Sequence, residues 1–561
     1  MRSKPRTVAL TRVACALVAA ATICISGDLR SAGRRFYDDD PITREPASQD
    51  ASKAVSQDVD LFVDLMLNLF TRPGGTENTR ARNVNTVDEV PDSSWFTNRI
   101  GTRRVSNEEA ARGPNEGPPP APGKWTIIRT KSAGFSPGFT AKDSNGATWF
   151  VSFDRPGHPE AGSGAVVVAN KIFWTLGYWQ VENFIVTLRP DDLVIADQVR
   201  IKLVPSGKSR AMTRADLDEI LKRSNRSPDG SYRAVAARQL PGRVIGPFKY
   251  FGTRNDDPND VVPHEDRREL RALKVFGAWT NLSDMKAGNT LDTVVTENGR
   301  GVVRHYLQDV GSTFGTGALD VLQWADGWNY FYDGGLLLKR LVSLGFYLEP
   351  WQTARYTEYP SIGRFEGDSF DPLTWKPHAP TAAFLRARSD DMFWAARRVG
   401  AFSDDLIRAI VATGQFTDQA AANHLATVLM KRRDKILRAY LPAVNPLVDF
   451  SLTDTALTFT NAAVAAHVAD ECAGYEATWA RFDNATGETT AVGNPTTGSA
   501  GTVSVPPGLP SAAGSFVKIQ VRGIRPAIAA WSVPIDVYFR RTTNGWTLVG
   551  LDRLPSTAAT Q

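Results

Sequence analysis

Two runs rich in β-branched residues, Leu291 to Thr296 and Val302 to Gln308, are joined by Glu297-Asn298-Gly299-Arg300. Asn-Gly tolerates the positive φ that a two-residue turn demands at both central positions, so this spacing predicts an antiparallel hairpin. The hairpin decides what its open end presents. An amphipathic helix predicted over His264 to Trp279 runs into the loop SDMKAGN, residues 283–289. The second strand runs out into Asp309-Val310-Gly311. Closing the hairpin therefore carries Asp284 and Asn289 toward Asp309.

Two carboxylates and an amide gathered in this way suit phosphoryl transfer. One Asp accepts a hydroxyl proton, while the amide and the second Asp supply the hard oxygen ligands that Mg²⁺ takes. Asp284 is the expected base, with Lys286 beside it, and Asn289 and Asp309 are the expected metal ligands. The spacing Asp284-x-x-x-x-Asn289, with Lys286 two residues on and Asp309-Val310-Gly311 after the hairpin, resembles the catalytic core of the protein-kinase-like superfamily. The atypical HipA-like, phosphoinositide-kinase-like and secreted Fam20-like branches are nearer in pattern than ordinary protein kinases. The resemblance implies Mg²⁺ and ATP as cofactors if the protein is active. The same residues also fit a solvated loop, an ordinary hairpin and a turn aspartate, and that alternative stays open.

Upstream, strands are expected at Trp125 to Arg129, Phe139 to Asp143 and Ala147 to Phe153, with Asn145-Gly146 as a turn. Gly134 and Gly138 lie in the first connection, where the resemblance implies weak contacts to nucleotide phosphates. A helix over Gly164 to Leu176 would take the place of the regulatory helix. A kinase of this layout pairs a strand lysine with a helix glutamate. Ser152 stands where the lysine should be, and Val166 and Val167 stand where the glutamate should be. Losing both together avoids an unpaired charge in a half-buried cleft. This favours a degenerate kinase, a binding or scaffolding protein of the cell envelope. An active atypical kinase transferring phosphate to a hydroxyl is the alternative, with Lys131 or Lys142 as the displaced lysine.

The remaining chain sets the frame. Its 561 residues suggest several domains. We expect an α+β fold with a leader at 1–26, an N-terminal helical arm and Pro-rich linker at 27–123, a kinase-like N-lobe at 124–262, a helical C-lobe at 263–445 and a β-sandwich at 446–561. The leader has a basic start and a short apolar core, Val13 to Ile25, too short to span a bilayer. Cleavage near Ser26, or acylation at Cys24, would leave an exported protein, periplasmic or extracellular or tethered to a membrane. The net charge of +5 falls to +1 without the four cations of that segment. No basic stripe with interleaved aromatics suggests nucleic acid. We expect a monomer with an envelope partner and no membrane span in the mature chain.

Within the arm, Leu61, Phe62, Leu65, Met66 and Leu69 share one face of a helix expected to pack inward. Asn83 to Phe96, NVNTVDEVPDSSWF, reads as an ordered loop. It is similar to a group of uncharacterised bacterial secreted proteins, a likeness running from about Phe36 to Phe450 that implies no established activity. Asp256, Asp257 and Asp260 read as solvated turn residues. The six histidines show no metal-ligand spacing, and Cys472 lies away from any candidate base.

Overall fold

The computed structural model describes residues 33–75, 77–131, 136–202, 208–317 and 325–554. The leader and Gly134 lie outside them.

Helix α1, Leu61–Phe70, is capped by Asp60, which accepts from the amides of Phe62 and Val63. Its apolar stripe is only half covered, with Leu65, Met66 and Leu69 partly buried and Leu61 and Phe62 exposed. Phe62 is 70% exposed, whereas Asp64 and Asn68 are buried. Burial raises the Asp64 carboxyl, with the Ala287 amide opposing it, and Asn68 Nδ2 donates to the Asp64 carbonyl at 2.8 Å. Helix α2, Asn107–Arg112, follows, capped by Ser106.

Strands β1 (Trp125–Thr130), β2 (Gly138–Lys142) and β3 (Thr148–Phe153) form an antiparallel meander around the expected turn, with Gly146 at φ 81°. Trp149 is fully buried on β3 and donates its indole N–H to Asp143 at 2.9 Å. Helix α3, Ala161–Leu176, packs against the sheet that these strands share with β4 (Asn183–Leu188), β5 (Leu193–Ile195) and β8 (Tyr232–Arg238). The order is β4-β8-β3-β2-β1-β5. Asp154 starts α3 by accepting from the Glu160 and Ser163 amides. The chain leaves this sheet after β5. β6 (Arg200–Lys202) pairs instead with β7 (Ser209–Ala211) in a ribbon of its own. Helix α4, Arg214–Lys222, opens with a capping box between Thr213 and Asp216.

After β9 (Arg243–Gly246) comes helix α5, Arg268–Thr280. It has no solvent-facing side, so its sequence amphipathicity misleads. Only Lys274 escapes full burial, and its arginines are paired inside the protein. Arg268 meets Asp88, Asp390 and Asp391 at 2.9, 3.2 and 2.9 Å, and Arg271 meets Asp266 and Asp391 at 2.6 and 3.2 Å. Asp88 and Asn83, which bonds the Arg268 amide, both come from the ordered loop at 83–96. Asp257 and Asp260 are buried too, contrary to the solvated reading, with Asp260 held at 2.8 Å by His264 Nε2. No group of three or more His, Cys, Asp or Glu among the described residues is arranged to hold a metal ion.

The hairpin is present as β10 (Thr290–Glu297) and β11 (Arg300–Leu307), with Asn298 and Gly299 at φ 50° and 76°. Its register pairs Glu297 with Arg300 and Thr290 with Leu307. Helices α6 (Gly334–Val342), α7 (Ser389–Gly400), α8 (Asp404–Ala412) and α9 (Gln419–Tyr440) follow. Trp279, Trp375 and Trp394 fill the core between them, whereas Trp328 and Trp351 are only partly buried. No helix among the described residues is long and apolar enough to cross a membrane.

The expected two-sheet sandwich is instead one nine-stranded antiparallel sheet. Its strands are β12 (Leu447–Leu452), β13 (Ala456–Asn461), β14 (Gly474–Phe482), β15 (Thr489–Ala491), β16 (Thr496–Ser499), β17 (Thr502–Ser504), β18 (Phe516–Ile524), β19 (Ile535–Thr542) and β20 (Gly545–Asp552). The order β12-β13-β17-β16-β14-β18-β19-β20, with β15 on β14, coils until β12 lies beside β20. Register shifts near Val448 and Tyr538 sharpen the coil, and near-closure hides strand edges. Leu457, Trp479, Val517, Ile519 and Val537 fill the interior.

Candidate functional site

The loop after α5 is shaped by its own side chains. Asn281 ends the helix at φ 57°, a left-handed position that asparagine tolerates. Asn289 Nδ2 then reaches back to the Asp284 carbonyl at 2.7 Å and to its carboxylate at 3.1 Å. Lys286 Nζ donates to the same carboxylate at 2.7 Å. The hairpin register brings the other end in, and the Asp309 amide donates to the Asn289 carbonyl at 3.0 Å. Asn289 thus touches both aspartates, one by its side chain and one by its backbone. The Asp309 carboxylate is open to solvent apart from the Gly311 amide, which donates to it at 2.9 Å.

His378 and Asp326 complete this cluster, and no spacing in the sequence points to either. His378 Nε2 lies 2.7 Å from Asp326, and Nδ1 lies 3.8 Å from Asp284, an electrostatic contact rather than a hydrogen bond. Burial alone would raise the Asp284 carboxyl. His378 and Lys286 more than offset it and hold it at about 2. Burial likewise opposes the imidazolium, but the two carboxylates lift His378 to about 9. Ser283 Oγ donates to Asp326 at 3.1 Å, and Phe331 stacks on the imidazole at 4.3 Å.

On the sheet side, Lys131 Nζ donates to Ser152 Oγ at 3.1 Å. The strand register explains how. Thr130 pairs with Phe139 and Gly138 pairs with Ser152, so one further step sets Lys131 beside Gly138, in the row of Ser152. Gly138 is needed for the sheet itself, since a Cβ there would come within 2.1 Å of the Val151 carbonyl oxygen. The Lys131 side chain stays open to solvent, yet the protein around its ammonium lowers its pKa, with Asp309 acting in the opposite sense. Lys142, at the far end of β2 opposite Thr148, is at the wrong end of the strand pair for this role. Val166 of α3 abuts Gly311, and the helix offers no carboxylate there. A cavity of about 860 Å³ lined by Arg103, Arg104, Ser106 and Leu406 contains none of these residues.

No family model matches the chain, and no curated protein matches it. Among solved structures, a crystal structure of the Golgi casein kinase is similar at 9% identity, over 72% of this chain and 96% of that one, with a TM-score of 0.30. A likeness at that score carries no weight in the assignment below.

The donor set fits a hard divalent cation. With Nδ2 of Asn289 given to Asp284, the amide oxygen is the end left for a ligand, and Asp309 adds an accessible carboxylate.

Proposed function

We propose that this chain is an exported, two-lobed, kinase-like phosphotransferase that uses Mg·ATP and a hydroxyl acceptor. The domain limits follow the changes in composition at Gly123, Val262 and Asn445. The observation that carries the reading is Lys131. Its ammonium sits on Ser152, the position of the missing strand lysine, within electrostatic reach of Asp309. The lysine half of the defect that favoured a degenerate kinase is thereby supplied from the neighbouring strand, and the glutamate half is not.

Asn289 and Asp309 would hold Mg²⁺, which when bound neutralises phosphate charge. Lys131 binds phosphate oxygens as a point charge. Asp284 is ionised across the physiological range and receives the hydrogen of the acceptor hydroxyl. Asn289 and Lys286 fix its orientation, and His378 keeps it ionised. One observation favours the second reading, a nucleotide-independent scaffold of the cell envelope. Lys131 has no glutamate opposite it on α3, where Val166 stands.

Calorimetry with Mg·ATP separates the two. Wild type is expected to bind. Lys131→Met should weaken binding roughly ten- to a hundred-fold, the equivalent of one charge-assisted contact of about 1.5–3 kcal/mol. Asp284→Ala should keep binding and lose transfer. No binding by the wild type at millimolar Mg·ATP would sink the phosphotransferase and leave the scaffold.

A further inference from the structure

Helix α6 has no buried residue. Leu337, Leu338, Leu341 and Val342 form one arc of its surface and are 60 to 76% exposed. The turn beyond it adds Leu344 and Phe346, both more exposed still. A helix on a water-facing surface turns such an arc inward. The outer face of α1 continues the patch, because Phe70 packs against Tyr332 with ring centres 4.9 Å apart. Monomeric soluble proteins rarely show so much contiguous apolar surface.

Cations stand around it. Arg340 pairs with Glu349, and Lys376 pairs with Asp333, the N-cap of α6. Lys339 contacts only the Tyr347 ring, and Arg72, just past α1, acts on Tyr330; neither has a carboxylate partner among the described residues. At the α6 end these four cations against two carboxylates leave +2, while Asp58 and Asp60 stand exposed at the far end of α1. An exposed apolar arc flanked by unpaired cations and tyrosines is the composition of a helix lying in a lipid headgroup plane. A second copy of the chain, docked face to face, would set those cations against one another.

We propose that α6 and the outer face of α1 dock on an anionic lipid bilayer. Phe331, two residues before the α6 cap, stacks on His378, so docking would hold the Asp284 loop close to the lipid plane. The proposal is independent of nucleotide binding and is tested without it.

The full chain is mixed with unilamellar vesicles of phosphatidylglycerol and phosphatidylcholine, or of phosphatidylcholine alone, and pelleted. Binding is expected to the anionic vesicles and to weaken in 0.5 M salt. Leu341→Asp with Val342→Asp should reduce it at least ten-fold, and Lys339→Glu several-fold. These side chains are exposed, so melting temperatures should not move. Wild type left in the supernatant with both vesicle types would overturn the proposal. So would binding retained by the double aspartate variant. A concentration-dependent dimer that the double variant dissolves, with no vesicle binding, would assign the patch to a second copy and overturn it equally.

Discussion

His378 sits between two carboxylates, and its protonation couples them to the stability of the whole loop. Its folded pKa of about 9 stands above the ordinary imidazole value near 6.5. Its contribution is therefore complete below about pH 6.5 and lost as pH rises through about 9. Asp284 runs the other way, its contribution being present above the ordinary carboxylate range and lost as pH falls through about 2. Urea unfolding of wild type at pH 6, 8 and 10 should show a loss on the order of 2–3 kcal/mol that His378→Gln lacks. Equal pH slopes in the two proteins would refute the coupling. That Asp284, Asn289 and Asp309 lie near one another was legible, because a local hairpin gathers them. His378 was not, since packing alone brings it to Asp284. Lys131 was legible only as one of two alternatives, and choosing it required the register of β1 on β2.

At the scale of elements, the turn chemistry of Asn298-Gly299 agrees with the structure to the residue, because it is decided within a few positions of chain. The two helix failures share one feature, polar residues that lie inside. In α1 Asp64 and Asn68 take the buried positions, with Asp64 near the Ala287 amide, and Leu61 and Phe62 stay exposed. In α5 the partners are Asp88, Asp390 and Asp391, and what reads as a charged solvent face is a buried network. Arg268→Ala should accordingly cost about 3–5 kcal/mol, because three carboxylates lose their common cation without access to water. Guanidinium denaturation checks it. A loss below about 1 kcal/mol would mean that the carboxylates find other partners.

For the molecule as a whole, the change of character near Asn445 was visible in the composition, and β12 begins at Leu447. The closure of one sheet in place of two stacked ones was not visible, since both give the same alternation along each strand. Nor was the path of the arm. Phe36 is buried among Phe482, Phe516 and Tyr538, and the Phe36 amide donates to Asn484 across 448 residues of sequence. Phe36→Ala should lower stability by about 3–5 kcal/mol and leave Mg·ATP affinity unchanged, as thermal melts and calorimetry on one preparation would show. A matching fall in affinity would mean that the far sheet is coupled to the nucleotide site. The same clasp has a temporal side. At roughly 5–20 residues per second, a ribosome needs tens of seconds to pass from Phe36 to its partners. Throughout that time the early segment has nowhere to go, so the strap closes only after most of the polypeptide has been made, and a chain interrupted before Phe516 emerges with its first aromatic anchor still bare.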